Sequence, residues 1–153
     1  MLSIIVLLFL VVPITIFLHE CGHIIIAKLM KLDGLEIVIG SGPSLLLFFV
    51  IGIKVQINMV YFVGGYSTNT SVQEIKEWQK GLISLGGPLL NLFLAIVFFM
   101  LFNMNHMVDE LLVLFNVWVG IVNLIPYKLM KKESDGYVFV KSMYHELKAA
   151  NTK

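Results

Sequence analysis

Residues 2–30 read LSIIVLLFLVVPITIFLHECGHIIIAKLM, an almost unbroken apolar run with His19-Glu20-Cys21-Gly22-His23 set inside it. As a helix rising about 1.5 Å per residue, the run is roughly 43 Å long, more than the ~30 Å hydrocarbon core of a bilayer. Pro13 lies in its first half, where a membrane helix tolerates proline and bends. No Lys or Arg precedes the run, and no small-residue cleavage site accompanies it. It therefore reads as a permanent span and not as a signal peptide.

The composition agrees. Charged residues make up 14% of the chain and hydrophobic ones 58%, with a mean hydropathy of +0.89. Soluble domains carry about 25% charge, so the deficit places the protein in a membrane. The 153 residues favour one domain over the whole chain. The basic residues are all Lys and form no stripe with interleaved aromatics, which leaves nucleic-acid binding without support. The single cysteine, Cys21, excludes an internal disulfide and a cysteine-rich zinc module.

Two further apolar segments follow, at about residues 81–104 and 111–126, the latter ending at Pro126. Between the first and second spans, at about residues 35–66, Gly34, Gly40, Gly42 and Pro43 punctuate the chain. There Ile53-Lys54-Val55-Gln56-Ile57-Asn58-Met59 alternates apolar and polar, the period of a half-buried strand. The spacing predicts two to four short strands ending at a Gly64-Gly65 turn, then a polar helical lead-in over 71–80. The fold expected is membrane α-helical: three transmembrane helices with a small membrane-associated β-sheet between the first two. A polar tail, 127–153, should carry a short amphipathic helix after Gly136.

Lysines set the expected orientation. Lys28, Lys31, Lys54, Lys76 and Lys80 border the strand region, and Lys128, Lys131, Lys132, Lys141 and Lys148 follow the third span. The opposite loop carries Asp109 and Glu110 and no Lys. The positive-inside rule then puts the N-terminus outside and the sheet and C-terminus in the cytoplasm, in a multi-pass cell-membrane protein. His19 lies towards the cytoplasmic end of its helix.

His19-Glu20-Cys21-Gly22-His23 is H-E-x-x-H on a helix. Histidines at i and i+4 share a face, so both imidazoles can reach one Zn²⁺. Glu20 can act instead on a water whose pKa the metal lowers to roughly 7. Ionisable residues in an apolar span are costly, at about 2.5–3.5 kcal/mol for each charged type at mid-bilayer, and a functional site is the default explanation. Cys21 is turned away from this face and reads as a packing residue. A catalytic zinc takes three protein ligands and an open position. Glu133, Asp135, His145 and Glu146 are the candidates for the third place on the expected cytoplasmic side, whereas His106, Asp109 and Glu110 lie on the other side.

Four motifs in order carry a resemblance: H-E-x-x-H, Gly64-Gly65-Tyr66, Gly87-Pro88-Leu89-Leu90-Asn91, and Asn123-Leu124-Ile125-Pro126 followed by Asp135-Gly136. On these the chain resembles the site-2 protease family of intramembrane zinc metalloproteases over nearly its whole length. The resemblance implies Asp135 as the third ligand of one zinc per chain, Glu20 as the catalytic base, and Asn91 and Asn123 as residues shaping the active site. It also implies a membrane-anchored protein or peptide as substrate, cut in or near a transmembrane segment close to the cytoplasmic face. One departure stands out: residues 127–134 intervene between the proline and Asp135, a longer spacer than the family pattern. Asn91 and Asn123 are equally readable as packing hydrogen bonders, and Gly86 as a helix-packing residue. The strand at 53–59 reads either as an edge that holds extended substrate or as a seal over the site.

Two alternatives stand beside this reading. One is a non-proteolytic membrane binding or immunity protein that keeps the fold, suggested by the long spacer. The other is a metal transporter, which would want polar residues continuing to both faces. The outer halves of the spans are almost wholly apolar.

Overall fold

A computed structural model describes residues 2–71, 74–130 and 132–151. Lys131, counted above for orientation, lies outside the described residues, as do positions 72 and 73 of the expected lead-in.

The first helix runs over Leu2–Leu29, and its stretch Leu7–Val11 is wound as a π-helix. Proline supplies the reason. Pro13 has no N–H to offer the carbonyl four residues back, and its ring would collide with that carbonyl. A wider turn just before it relieves both problems, with the Val12 N–H reaching five residues back to the Leu7 oxygen. The helix closes near Lys31, whose φ of 61° is left-handed, while the Leu32 N–H returns to the Ala27 carbonyl at 3.1 Å.

The strand region corrects the sequence reading. The chain forms two long strands, β1 (Glu36–Val50) and β2 (Ile53–Thr68), joined at Ile51-Gly52. Both linking residues are left-handed (φ 51° and 78°), as a two-residue hairpin loop requires. Gly64-Gly65 is no turn; it lies inside β2. Instead, β1 shifts register around Gly40 and Gly42, at φ of 81° and 89°. Glu36, Ile37, Val38 and Ile39 consequently face residues 54–57 on one side and 65–68 on the other, while 46–50 pair with 53–57. Two bent strands thus supply four adjacent arms. The arm with the alternating pattern, 53–57, is interior, and 65–68 is an outer arm.

The root of this hairpin packs on the first helix. Ile24 and Ala27 meet Leu32, Leu35, Ile37 and Ile39 in the buried core. Its far end is different, since Leu45, Leu46, Leu47, Phe48, Phe49, Val50 and Ile51 are all exposed.

The second helix, Glu77–Leu101, begins at Glu77. Residues 74–76 form no helix, so the predicted lead-in at 71–80 is helical only in its last turn. Lys76 is extended, and its N–H is capped by the Gln79 side chain at 2.9 Å, which sets the start. The third helix, Met107–Leu124, starts before the apolar run because Asp109 and Glu110 suit the first turn of a helix. All three helices are long and apolar enough to cross a membrane. Gly22 and Gly86 bring the first two helices into backbone contact: a Cβ on either would strike the other's backbone.

Beyond Pro126 the longer spacer folds back on itself. Lys128–Leu129 (β3) pairs with Lys132–Glu133 (β4), and the Ser134 N–H meets the Tyr127 carbonyl at 3.0 Å. The Ser134 hydroxyl donates to the Ile125 carbonyl at 2.8 Å and accepts from the N–H groups of Tyr127 and Tyr137. Ser134 thereby caps the C-terminal helix, Asp135–Ala150, which starts one residue before the predicted Gly136.

Candidate metal centre

His19 and His23 sit one turn apart on the first helix, and both are buried. Each ring is held through Nδ1. His19 Nδ1–H donates to the Asn91 side-chain oxygen at 2.6 Å. His23 Nδ1–H donates to the Ile83 carbonyl at 2.8 Å. Both acceptors lie on the second helix, so the helix contact at Gly22 and Gly86 also orients the imidazoles. With the protons on Nδ1, each Nε2 presents a lone pair, the tautomer a metal needs.

Those lone pairs converge. The two Nε2 atoms are 3.2 Å apart. Asp135 completes the group, with Oδ2 3.0 Å from His19 Nε2 and Oδ1 3.5 Å from His23 Nε2. Three electron-rich atoms this close repel one another unless a cation lies among them. The 3.2 Å between the nitrogens and the 3.0 and 3.5 Å from each to its nearer carboxylate oxygen bracket the roughly 3.3 Å edge of a tetrahedral face built on bonds of about 2.0–2.1 Å. Two imidazoles and a carboxylate form a donor set suited to zinc, so the residues present fit that metal.

The group opens into a cleft of about 590 Å³. Glu20, only 6% exposed, lines it. Asn123, Gly65, Tyr66 and Ser67 line it as well, so the outer arm of β2 borders the metal group. The arm 53–57, the one with the alternating pattern, does not.

The other predicted residues fall as follows. Asp135 joins His19 and His23 despite the spacer, because the clasp between Tyr127 and Ser134 returns the chain to the end of the third helix. Glu133 pairs with Lys128 and Lys141 instead. The Lys128 hydrogen bond holds the Glu133 carboxyl below its ordinary range, and Lys141 adds to this. His145 and Glu146 are exposed on the C-terminal helix. Asn91, fully buried, grips His19 and is not in the cleft lining. Asn123 donates to the Val119 carbonyl at 2.9 Å and faces the cleft without touching the three ligating atoms.

Sequence reasoning missed Thr15, Asn116 and Ser134. Thr15 precedes His19 by four positions and so shares its face. Asn116 and Thr15 are fully buried, like Asn91. A polar residue without a stated partner in an apolar span was the available signal.

Residues 6–111 match the family model described as "Peptidase family M50". Three curated bacterial proteins, each named "Putative zinc metalloprotease", are similar. That of Thermotoga maritima is 31% identical over 118 residues, covering 67% of this chain and 23% of its own length. That of Chlamydia pneumoniae is 28% identical over 114 residues, with 60% and 18% covered. That of Borreliella burgdorferi is 28% identical over 109 residues, with 58% and 25% covered. The chain thus spans about a quarter or less of these relatives. The family match includes His19, Glu20, His23 and Asn91 but ends before Asp135, whose place beside the histidines is known from the geometry. A match over more than half of the residues, taking in the two histidines and the glutamate between them, decides the affiliation: the chain belongs to peptidase family M50, the site-2 protease family.

Proposed function

We propose that the protein is an intramembrane zinc metalloprotease that hydrolyses a peptide bond in or near a transmembrane segment of a membrane-anchored substrate. The observation carrying this reading is the convergence of two Nε2 lone pairs and a carboxylate beside buried Glu20, on helices of membrane-spanning length. His19, His23 and Asp135 would hold one zinc ion per chain. When bound, zinc acts as a Lewis acid towards water and the scissile carbonyl.

The protein's own groups do the rest. Glu20 accepts a proton from the attacking water on a carboxylate oxygen and returns it to the departing amine nitrogen. The bonds from His19 to Asn91 and from His23 to Ile83 keep both Nε2 atoms aimed at one point. The outer arm 65–68 offers backbone groups along the cleft, and an unwound substrate segment would align there by strand addition. That role passes to 65–68 from the pattern at 53–59, which supplies an interior arm. Asn123, at the cleft wall, is placed to contact the substrate backbone.

The placement in the membrane belongs to the same proposal. The N-terminus is outside, and the hairpin root, the clasp and the C-terminal helix are cytoplasmic. The exposed apolar end of the hairpin, around Phe49 and Ile51, dips into the bilayer interface. The described region acts as one domain. A non-proteolytic binding protein drew its support from the long spacer, and the clasp removes that support, since Asp135 reaches the histidines regardless.

The test is zinc content together with cleavage of a tagged membrane substrate. Wild type should bind one zinc and cleave, Glu20→Gln should bind zinc and not cleave, and Asp135→Ala should lose both. Undiminished cleavage by Glu20→Gln would end the proposal.

A further inference from the structure

Behind His19 lies a chain of polar groups of which the proposed reaction uses only the first, Asn91. Asn91, whose oxygen accepts from His19 Nδ1–H, donates through its amide nitrogen to the Asn116 side-chain oxygen at 2.8 Å and to the Thr15 carbonyl at 3.3 Å. Asn116 in turn donates to the Leu112 carbonyl at 2.7 Å and to the Thr15 hydroxyl at 3.2 Å. Thr15, Asn91 and Asn116 are 0% exposed, and the three belong to three different helices.

The direction of this chain is fixed at its far end. An asparagine amide can be turned end for end, and only its partners say which end faces where. Backbone carbonyls can only accept. The Leu112 carbonyl therefore demands the amide nitrogen of Asn116, which leaves its oxygen facing Asn91. That oxygen, together with the Thr15 carbonyl, demands the amide nitrogen of Asn91. The oxygen of Asn91 is left for His19, so a ring proton is required on Nδ1, and the neutral imidazole then carries its lone pair on Nε2.

We propose that Asn116 is a positioning residue that selects the metal-binding tautomer of His19 through Asn91, with Thr15 anchoring both amides. The proposal rests on the metalloprotease reading and deepens it, because it names what keeps the first ligand ready. Without Asn116, the Asn91 amide loses its 2.8 Å acceptor and is held only by the longer contact to the Thr15 carbonyl. Turning it presents an N–H to Nδ1, moves the ring proton to Nε2 and blocks ligation.

The experiment uses the purified full chain in lipid nanodiscs, with Zn²⁺ as titrant and ring-¹⁵N-labelled histidine. In metal-free wild type, followed up to the pH at which the ring is neutral, the His19 signals, identified by their loss in His19→Gln, should report a protonated Nδ1 and a bare Nε2. Asn116→Leu should retain its helical circular dichroism, show a second His19 population protonated on Nε2, and bind zinc about tenfold or more weakly, as loss of such a supporting hydrogen bond does elsewhere. Thr15→Val should shift both readouts the same way by a smaller amount. A packing role alone would leave the ring signals unchanged. Wild-type tautomer and zinc affinity in a folded Asn116→Leu overturn the relay and leave the metal site standing. Should Asn116→Leu lose its helices, Thr15→Val decides alone: wild-type values there overturn the relay. A wild-type chain that binds no zinc brings down the metalloprotease reading and the relay together.

Discussion

His19 and His23 differ in what stands behind them: an asparagine amide for one and a backbone carbonyl for the other. The backbone carbonyl of Ile83 cannot be mutated away, so His23 is the more robust ligand, and substitutions in the second helix should weaken His19 first. Asp135→Asn keeps the shape of the third ligand but removes its charge. It should lower zinc affinity by at least about tenfold while leaving helical content unchanged, as read by chelator competition and circular dichroism. Gly87 is more restrictive, because a Cβ there would meet both imidazole rings. Gly87→Val should therefore abolish zinc binding in a chain that still inserts into membranes. At this scale the sequence was readable where chemistry is local. H-E-x-x-H declares itself because residues four apart share a helix face. Asp135, distant in the chain, was picked out from other acids only by resemblance. Thr15 and Asn116 stood out only as polar residues in apolar spans, because a buried hydroxyl or amide has many conceivable partners and only the packing of three helices chooses among them.

The helices were legible as elements because apolar runs of spanning length have few alternatives. The strands were less so. Alternation at 53–59 announced a strand correctly but said nothing of its neighbours, since register depends on where β1 bends, at Gly40 and Gly42. The lead-in before the second helix is helical only from Glu77 onward, because the Gln79 side chain caps the N–H of extended Lys76 and fixes the start there. Contact between elements makes its own prediction. Gly86→Leu inserts a side chain where Gly22 and Gly86 nearly touch. It should separate the first two helices, release both imidazoles from their acceptors, and reduce zinc binding and thermal stability together. The hairpin end is testable in a Cys21→Ala background. A polarity-sensitive dye on Phe49→Cys should emit as in a lipid environment and be quenched by spin-labelled lipids. Dye on Lys148→Cys should not. Equal quenching at both positions would place the hairpin in water.

For the molecule as a whole, the proposed metal would be thermodynamically linked to the fold. His19 and His23 from the first helix and Asp135 from the start of the C-terminal helix meet at one point, so unfolding would release an ion held there. At a free zinc concentration one hundred times Kd the linkage is worth about 2.7 kcal/mol. Chelation should lower Tm by roughly 5–10 °C for a chain of this size. An unchanged Tm in a protein shown to hold zinc would mean that the metal adds nothing to the native state. Topology has a direct assay too. Asn105→Cys in the Cys21→Ala background should react with an impermeant thiol reagent added outside intact cells, and Lys148→Cys only after lysis. The reverse pattern would invert the proposed orientation and move the metal group to the other face.

Tyr127 and Ser134 are bonded to each other and to the end of the third helix, so the words between them can change without altering the sentence. Lys128, Leu129 and Met130 open a parenthesis beside the candidate metal centre, one that an engineer can lengthen at its tip. An epitope spliced between Leu129 and Met130 should leave zinc content at the wild-type level, giving a reporter at the mouth of the cleft that does not disturb what lies inside it.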